Sequence, residues 1–579
     1  MSKVNSTENT STMSKIIYIC HRHSSRLVLK NADIQLICKQ LTPDNIEPAL
    51  PLVINNNGIQ VIITPPSTSL PAKDTCICMG NMFSPANNWW EPGGGIPDGT
   101  YALFRNDTNT VEILTDAVAS RTVWYLKTDD FFIASSSQRA IVMLTKQFDL
   151  NKKVIPWMIS SGTLGPGLSW DDRINMLSAN STLTLNRTTW ESTVNQSSFE
   201  YQATKMSARQ HKQALNDSIE QTFKQLDIDL DKWILPLSGG VDSRAIFLML
   251  KDRPALKTVT WGLASSRLNK VSDAVIAEQL ANRFKVSHQY FDTDISTESI
   301  DAIFDRFLVA GEGRVDNISG YMDGFRIWKT LHDSGVNGII RGDEAFGCLK
   351  VNNEAEVFSN MQLQTLEDFD NLDPFMRQFG QMDQQIPENL LRKSNESLEQ
   401  WRDRLNKEFE FPVILSALND LKLPFVEIVN PLISHPVIDQ VMKLPDALRT
   451  DKKLFTMLVR DLCPSIRFAK HAAIESRNSI LQREDVTDMI QNELHSGHAK
   501  QLFDEAIIND VLSETIPSNS SNSVFSRIKD SPLSRKVIRN FSPCRKRNID
   551  MNIVALRLFL TSKMTKMLYH DATILRPLD

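Results

Sequence analysis

The sequence predicts a chain of two structural classes, an antiparallel β-sandwich of α+β type over residues 1–200 followed by an α/β domain over residues 205–579. A length of 579 residues is too great for a single hydrophobic core. The hydrophobic period also changes near residue 205, from the alternation of strands to helical spacing. Hydrophobic residues form 41% and charged residues 23% of the chain, which is typical of globular proteins.

The first domain is predicted from short β-rich runs that are separated by turn-prone residues. These runs are KIIYIC (15–20), GIQVIIT (58–64), TCICMG (75–80), TYALFR (100–105), TVEILTD (110–116), TVWYLKT (122–128) and DFFIASS (130–136). Cys76 and Cys78 fall within one of them. No second ligand pair stands at a zinc-site spacing, so buried thiols are favoured over a metal site.

The second domain is predicted from strands that alternate with helices. Helical spacing is found at 208–226, 241–250 and 272–284, and strand-like runs at 233–237, 258–263 and 287–292. Such alternation indicates a parallel sheet with crossover helices. Residues 300–480 are mainly helical by pattern, and TIPSNSSNS (515–523) indicates an exposed loop.

One segment carries the strongest chemical signal. Residues 234–243 read ILPLSGGVDS, in which an apolar strand leads into SGGVDS and then into an apolar helix. Glycines let the backbone approach an anion, and a helix N-terminus directs free N–H groups and positive dipole toward phosphate. The alternative is a helix cap after a glycine turn, but strand, loop and helix in register favour a phosphate site. No Walker lysine closes the loop.

The loop resembles the pyrophosphate loop of the asparagine synthetase family, whose relatives include β-lactam synthetases and lasso-peptide cyclases. TVTWGL (258–263), RGDEAFG (341–347) and NPLISHPVIDQVMKLP (430–445) resemble further family segments. Residues 98–144 resemble the later half of the family's glutamine-hydrolysing domain. The resemblance implies an N-terminal Ntn-type sandwich and a C-terminal adenine-nucleotide α-hydrolase-like (PP-loop) domain.

The resemblance also implies ATP and Mg²⁺ as cofactors and assigns residues to them. Asp242 and Asp343 are the expected Mg²⁺ ligands, and carboxylate oxygens suit that ion. Lys470 is expected to contact phosphate and the developing negative charge. The expected ATP-binding residues are Leu237, Ser238, Gly239, Gly240, Val241, Asp242, Ser243, Trp261 and Gly342.

Two departures from the family pattern bear on the reaction. The family's glutaminase nucleophile is a cysteine exposed by removal of Met1, whereas Ser2 follows Met1 here and Ser14 follows Met13. We therefore expect a degenerate amidotransferase domain without glutaminase activity. The family places Glu, or Tyr in β-lactam synthetases, three residues before the second metal-binding Asp, and this position is Ile340. Either the attacking amine arrives neutral or another base removes its proton. Glu344, Glu312 and His471 are the alternative bases, with Glu344 kept as a catalytic candidate beside Lys470.

The predicted function is an ATP-dependent amide-bond ligase that activates a carboxylate as an acyl-adenylate for attack by an amine, with AMP and pyrophosphate as products. The substrates are expected to be small-molecule or peptide carboxylates and amines. Loss of the terminal Cys and of the Glu favours an amine that belongs to the substrate. The alternatives are an asparagine synthetase proper, using glutamine or ammonia in asparagine biosynthesis, and a non-catalytic nucleotide-binding homologue.

The partners are predicted from charge and from apolar runs. A net charge of −5 predicts no general attraction to nucleic acid or anionic membrane. The first fifteen residues are polar, so no signal peptide is predicted. The sequence contains no run of about 18 apolar residues, so no membrane-spanning helix is predicted. These features predict a cytoplasmic protein, with a homodimer or a pathway enzyme as partner left open. The basic segment 527–547 predicts a solvated face or a docking patch for an acidic protein or peptide.

Overall fold

The computed structural model describes residues 15–22, 29–66, 70–84, 86–293, 296–380, 384–474, 477–515 and 547–575. The strands in these ranges are β1 (Lys15–His21), β2 (Leu52–Asn56), β3 (Ile59–Thr64), β4 (Ala72–Lys73), β5 (Cys76–Ser84), β6 (Asp98–Asn106), β7 (Thr110–Thr115), β8 (Trp124–Lys127), β9 (Phe131–Ser135), β10 (Asn175–Met176), β11 (Ser181–Asn186), β12 (Ser192–Gln196), β13 (Trp233–Pro236), β14 (Lys257–Gly262), β15 (Ser287–Asp292), β16 (Gly338–Ile340) and β17 (Glu427–Val429).

The helices of the same ranges lie mostly in the second half of the chain. They are α1 (Asn31–Leu41), α2 (Gln138–Thr145), α3 (Val154–Ser161), α4 (Ala208–Gln225), α5 (Val241–Leu250), α6 (Asp273–Phe284), α7 (Ile300–Gly311), α8 (Arg326–Asp333), α9 (Glu354–Asn360), α10 (Asp373–Phe379), α11 (Leu398–Leu405), α12 (Ser416–Asp420), α13 (His435–Met442), α14 (Asp446–Arg449), α15 (Lys453–Leu462), α16 (Arg477–Leu481), α17 (Glu484–Leu494), α18 (Gly497–Leu502), α19 (Glu505–Glu514) and α20 (Met551–Asp571). A π-helix, Asn406–Leu415, joins α11 to α12.

The first half is an antiparallel β-sandwich, as the sequence predicts. Within the described residues its two sheets have the strand orders β10-β8-β9-β1-β3-β2 and β12-β11-β7-β6-β5-β4. Tyr18 of β1 stacks on Phe104 of β6, with ring centroids 5.8 Å apart, so the core lies between the sheets. Strand β1 is buried along most of its length because it is a central strand of its sheet.

The sandwich also contains helices α1, α2 and α3, where the strand-rich pattern predicts none. Helix α3 reads VIPWMISS, which has a proline and β-branched residues and so carries no helical signal of its own. All of its residues are buried. Tertiary packing against neighbouring elements therefore decides its conformation, as it does for most protein helices.

The second half contains the predicted parallel sheet, in the order β15-β14-β13-β16-β17. The chain runs outward from β13 through β14 to β15, and then returns to the other side of β13 with β16 and β17. The strand order therefore reverses beside β13. In open α/β sheets a ligand binds outside the carboxyl ends of the strands at such a switch point.

Buried ion pairs join the two halves. Arg121 of the sandwich contacts Glu427 of β17, and Arg139 of α2 contacts Asp571 at the end of α20, with Nε 2.7 Å from Oδ2. Fully buried pairs like the second are costly to break singly, since one charge would be left unpaired. Across the described ranges, no helix is both long and apolar enough to cross a membrane.

The predicted basic segment 527–547 lies outside the described residues except for Arg547, which donates a hydrogen bond to Ser359 Oγ at 2.6 Å. The exposed loop predicted at 515–523 also lies outside them, apart from its first residue.

Candidate functional site

Two cavities meet at the carboxyl edge of the parallel sheet, and both are lined by Asp242, Gly342 and Asp343. The first, here called the loop cavity, has a volume of about 320 Å³ and extends along residues 236–238 and Trp261. The second, the π-helix cavity, has a volume of about 450 Å³ and is lined on one side by the π-helix. Asp242 follows β13 and Asp343 follows β16, so the shared wall stands at the switch point of the sheet.

The loop 238–243 turns from β13 into α5 around two serines. Ser238 and Ser243 hydroxyls are 2.9 Å apart, and the Ser238 N–H donates to Ser243 Oγ at 2.9 Å. Gly240 is the N-cap of α5, with no side-chain cap, so the first N–H groups of this helix have no capping side chain. The Gly239 N–H donates to Asp273 Oδ1 at 3.1 Å. The loop thus has the amides and dipole that bind an anion.

A segment that we call the strap, residues 466–474, crosses over this loop. Arg244 is buried and donates to the carbonyl oxygens of Ile466 (2.7 Å) and Arg467 (2.8 Å). The Ala469 N–H donates to the Gly239 carbonyl at 2.9 Å. A Cβ on Gly239 would lie 2.4 Å from Ala469 Cβ, so glycine is required here by the close approach of the strap. Ala472, Ala473 and Ile474 of the strap then line the loop cavity.

Asp343 is brought to Asp242 by the glycine that precedes it. A Cβ on Gly342 would lie 3.2 Å from Asp242 Cβ and 3.1 Å from the Ser243 nitrogen. Arg341 Nη2 lies 2.8 Å from Asp343 Oδ1. The other oxygen, Oδ2, is buried and accepts no hydrogen bond from the residues that the structure describes. A buried carboxylate oxygen that lacks a donor is costly unless a ligand or cation completes it.

Lys452 lines the π-helix cavity and pairs with two acids. Its Nζ is 3.0 Å from Asp242 Oδ2 and 2.7 Å from Glu344 Oε1. Burial, followed by the charge of Glu344, raises the pKa of Asp242 to about 6, although Lys452 acts in the opposite direction. Burial opposes the charge on Lys452, yet Glu344 and Asp242 raise its pKa. Asp451 and Lys452 both have left-handed φ angles, 57° and 52°, a strain that proteins retain mainly at functional sites.

The π-helix supplies one wall of its cavity at regular intervals. The residues that line it are Asn406, the adjacent pair Glu410 and Phe411, and Leu415, with four positions between each step to or from the pair. Asn406 Nδ2 donates to Glu410 Oε2 at 2.7 Å. A π-helix is rare and is found most often at functional sites. Burial raises the pKa of the Glu410 carboxyl.

The structure separates the candidate bases that the sequence left open. Ile340 is buried within β16. Glu312 lies at the joint with the sandwich, where it accepts a hydrogen bond from the Gln138 N–H at 2.9 Å, and it lines neither cavity. His471 is exposed in the strap. Glu344 lines the π-helix cavity, but its Oε1 pairs with Lys452 and its Oε2 accepts from the Phe346 N–H.

The other predicted residues fall around the loop cavity. Leu237, Ser238, Asp242, Ser243, Trp261 and Gly342 line it, while Gly239, Gly240 and Val241 complete the loop beside it. Lys470 has an exposed side chain in the strap, two residues before the lining residue Ala472. The sequence analysis assigns no role to Arg341, Glu410 or Lys452. Nothing distinguishes Lys452 in the sequence, because it is one of two adjacent lysines before a helix.

The side chains and amides at the two cavities can be compared with what Mg²⁺ and ATP require. Asp343 Oδ2 has no partner in the described part of the chain, and Asp242 stands beside Asp343 with its oxygens bound to Lys452. These two carboxylates would fit a cation that phosphate oxygens also coordinate. Within the described ranges no group of three or more His, Cys, Asp or Glu residues could hold a metal by itself. Loop amides, helix dipole and Trp261 fit a nucleotide triphosphate in the loop cavity.

A parallel sheet with an SGGVDS loop at its switch point defines a nucleotide-binding domain of the PP-loop type. The family model described as Asparagine synthase matches residues 234–526, about half of the chain. The chain therefore belongs to the asparagine synthase family, a family of ATP-dependent carbon–nitrogen ligases. The search of curated proteins finds no match to this chain.

Proposed function

We propose that the protein joins a carboxylate to an amine through an acyl-adenylate, with AMP and pyrophosphate as the other products. The observation that carries this proposal is the shared wall of Asp242, Gly342 and Asp343 between the two cavities. A nucleotide in the loop cavity and an acceptor in the π-helix cavity would meet at this wall. Holding two reactants in this way makes a bimolecular step effectively unimolecular.

The residues of the loop cavity would act on the phosphates. The amides of the 238–243 loop and the N-terminus of α5 bind and orient the pyrophosphate that leaves. The Gly239 N–H of this loop donates to Asp273 Oδ1. Arg244 donates to two carbonyl oxygens of the strap, from which Lys470 would act on the phosphates. Asp242 and Asp343 would hold Mg²⁺, whose positive charge neutralises phosphate oxygens when it is bound.

The test of this proposal is the nucleotide product. The purified protein, ATP and MgCl₂ are incubated with a panel of amino acids, dicarboxylates and short peptides, with hydroxylamine as a trap for activated carboxylates. We expect carboxylate-dependent formation of AMP, pyrophosphate and a hydroxamate. Formation of ADP and phosphate would overturn the acyl-adenylate, and ATP binding without turnover on the whole panel would indicate a nucleotide-binding homologue.

We also propose that glutamine is not the nitrogen donor. The cysteines among the described residues of the sandwich are Cys20, Cys38, Cys76 and Cys78, and burial raises the pKa of each thiol. A buried neutral thiol is a poor nucleophile, because the thiolate is the reactive form. These side chains fit a sandwich that is retained as a scaffold.

The resulting prediction is that the pure protein releases no glutamate from glutamine above a heat-killed control. The measurement is an enzyme-coupled glutamate assay, run with and without ATP, since nucleotide could activate the sandwich. A matched control is ammonium chloride as the nitrogen source in the ligase assay. Glutamate release that saturates with glutamine would contradict the prediction.

A second prediction concerns Lys470, whose exposed ammonium stands at the strap. We expect Lys470→Met to lower kcat for pyrophosphate release by about 10²-fold, the low end for one electrostatic donor. ATP affinity should change much less, because charge develops mainly in the transition state. Lys270→Met is the matched control, an exposed lysine beside Val271, whose carbonyl accepts from the Lys470 N–H. Unchanged kcat with strongly weakened ATP binding would make Lys470 a ground-state contact.

A further inference from the structure

We propose that the π-helix cavity binds an organic amine as its ammonium ion, and that Glu410 accepts the proton that the amine must lose before it attacks. This inference rests on the proposed function, since it assigns the acceptor of the same reaction. It supplies a base at a site where the family position is Ile340, a buried aliphatic residue.

The π-helix is the first reason for this assignment. It presents Asn406, Glu410, Phe411 and Leu415 on the one face that lines the cavity. Asn406 holds Glu410 by one carboxylate oxygen, Oε2, at 2.7 Å. No hydrogen bond to Oε1 is formed by the residues that the structure describes. Glu410 thus has one oxygen fixed and one available to a ligand, whereas both oxygens of Glu344 are engaged.

The charge of the cavity wall is the second reason. Five carboxylates line it, those of Asp242, Asp343, Glu344, Glu410 and Asp451, against the single ammonium of Lys452. Lys452 is already shared between Asp242 and Glu344. Arg341, outside the lining, pairs with Asp343. The negative charge that remains favours a cationic ligand over a second carboxylate. The charged groups that act on Glu410 are Glu344, Lys407 and Lys452, and burial raises its pKa, which makes its carboxylate a better base.

The size and the apolar part of the wall are the third reason. Cys348, Leu349, Met361, Phe411 and Leu415 line the cavity together with the carboxylates. A volume of about 450 Å³ lies within the range of pockets for organic ligands and far exceeds that of ammonia. Leu349 is 64% exposed, so the apolar wall continues toward solvent. An amine with an aliphatic or aromatic chain satisfies both the acids and this wall.

The reaction consists of proton transfers and one substitution at the acyl carbon. The ammonium R–NH₃⁺ transfers one proton to the Glu410 carboxylate and becomes R–NH₂. The nitrogen lone pair attacks the acyl carbon of the adenylate, the C–N bond forms, and the C–O bond to the phosphate breaks with its electron pair on AMP. The second proton of the nitrogen passes to solvent. Glu410 then returns its proton to solvent, so no oxidant or further reactant is required.

Binding is tested without any turnover. Calorimetry compares n-hexylammonium with n-hexanol, which has the same chain but no charge, on the full-length protein. We expect hexylammonium to bind and hexanol to bind at least about 10-fold more weakly, and Glu410→Gln to weaken hexylammonium by about 10- to 100-fold, as is typical of a lost charged hydrogen bond. Glu399→Gln, on the preceding helix and outside the cavity lining, is the matched control and should bind like the wild type.

Catalysis is tested with the carboxylate that gives AMP in the product assay. Glu410→Gln should keep carboxylate-dependent pyrophosphate exchange and lose amide formation from hexylamine by about 10²- to 10⁴-fold, the usual contribution of a general base. Hydroxylamine is uncharged at neutral pH and needs no base to form the free amine. Hydroxamate formation should therefore be retained in the variant, which a merely structural role of Glu410 would not produce.

The two proposals fail in different ways. The wild type could form no AMP and still bind hexylammonium in a way that depends on Glu410. That result would overturn the ligase proposal and leave the ammonium-binding site. AMP formation with ammonium chloride as the productive amine, and no binding of hexylammonium, would overturn the inference and leave the ligase. If Glu410→Gln lost the hexylamine and hydroxylamine products equally, the role of Glu410 as a base would also be overturned.

Discussion

Replacement of either Asp242 or Asp343 by alanine is expected to reduce pyrophosphate release by about 10³-fold or more. Each variant removes one carboxylate from the wall that both cavities share. A bound metal ion contributes several kcal/mol of charge stabilisation, and about 1.4 kcal/mol corresponds to a factor of ten in rate. Pyrophosphate release under saturating MgCl₂ and ATP is the measurement, with circular dichroism as the check on folding.

Both variants are expected to fold. In Asp242→Ala, Lys452 keeps its contact with Glu344, and removal of a carboxyl whose pKa burial raises to about 6 relieves a desolvated charge. Asp252→Ala is the matched control, since Asp252 lies two residues after the end of α5 and is exposed to solvent. Near-normal turnover of either site variant would show that the aspartate concerned is not a ligand. A comparable loss in Asp252→Ala would mean that the assay reports stability instead.

The sequence predicts those parts of the fold that local pattern determines. Strands β1, β3 and β13 and helices α4, α5 and α6 lie where alternation or helical spacing places them. Helix α3 and the long C-terminal helix α20 were not predicted. Helix α3 carries Pro156 and is buried on all sides, so its conformation depends on residues distant in the sequence.

The site shows the same division between local and distant information. The 238–243 loop is contiguous, so its strand, glycines and helix can be read together. Asp343 is found only because its own segment resembles a family motif. Lys452 and Glu410 lie about 210 and 170 positions from the loop in the sequence. Only the folded chain brings Lys452 into contact with Asp242 and Glu410 into the same cavity lining as Asp242.

The π-helix itself has no sequence signal of its own. Residues 406–415 read NKEFEFPVIL, and Pro412 within them would ordinarily predict the end of a helix. The chain instead continues into α12 after the widened turns. The wider spacing brings Glu410 and Phe411, adjacent in the sequence, onto the same cavity wall as Asn406 and Leu415. A search for helical periodicity at 3.6 residues cannot find this face.

Lys452→Met is expected to lower kcat for pyrophosphate release by about 10³-fold while leaving the affinity for MgATP unchanged or tighter. The ammonium bonds both oxygens of Asp242, at 3.1 and 3.0 Å, so it competes with any cation that Asp242 binds. Its removal therefore relieves a competitor in the ground state. The loss in kcat follows because Lys452, held against Asp242, would supply a fixed positive charge near the proposed phosphate site. One such donor is worth about 10²–10³.

Lys453→Met is the matched control, because Lys453 is the adjacent residue, is exposed and begins α15. Affinity is measured by calorimetry with MgATP, and kcat by pyrophosphate release at saturating substrate. A variant with normal kcat would make the strained Asp451–Lys452 turn a purely structural feature. Strongly weakened MgATP binding would instead indicate that Lys452 contacts the phosphates of bound ATP. The charge of Lys452 would then serve nucleotide binding and not the transition state.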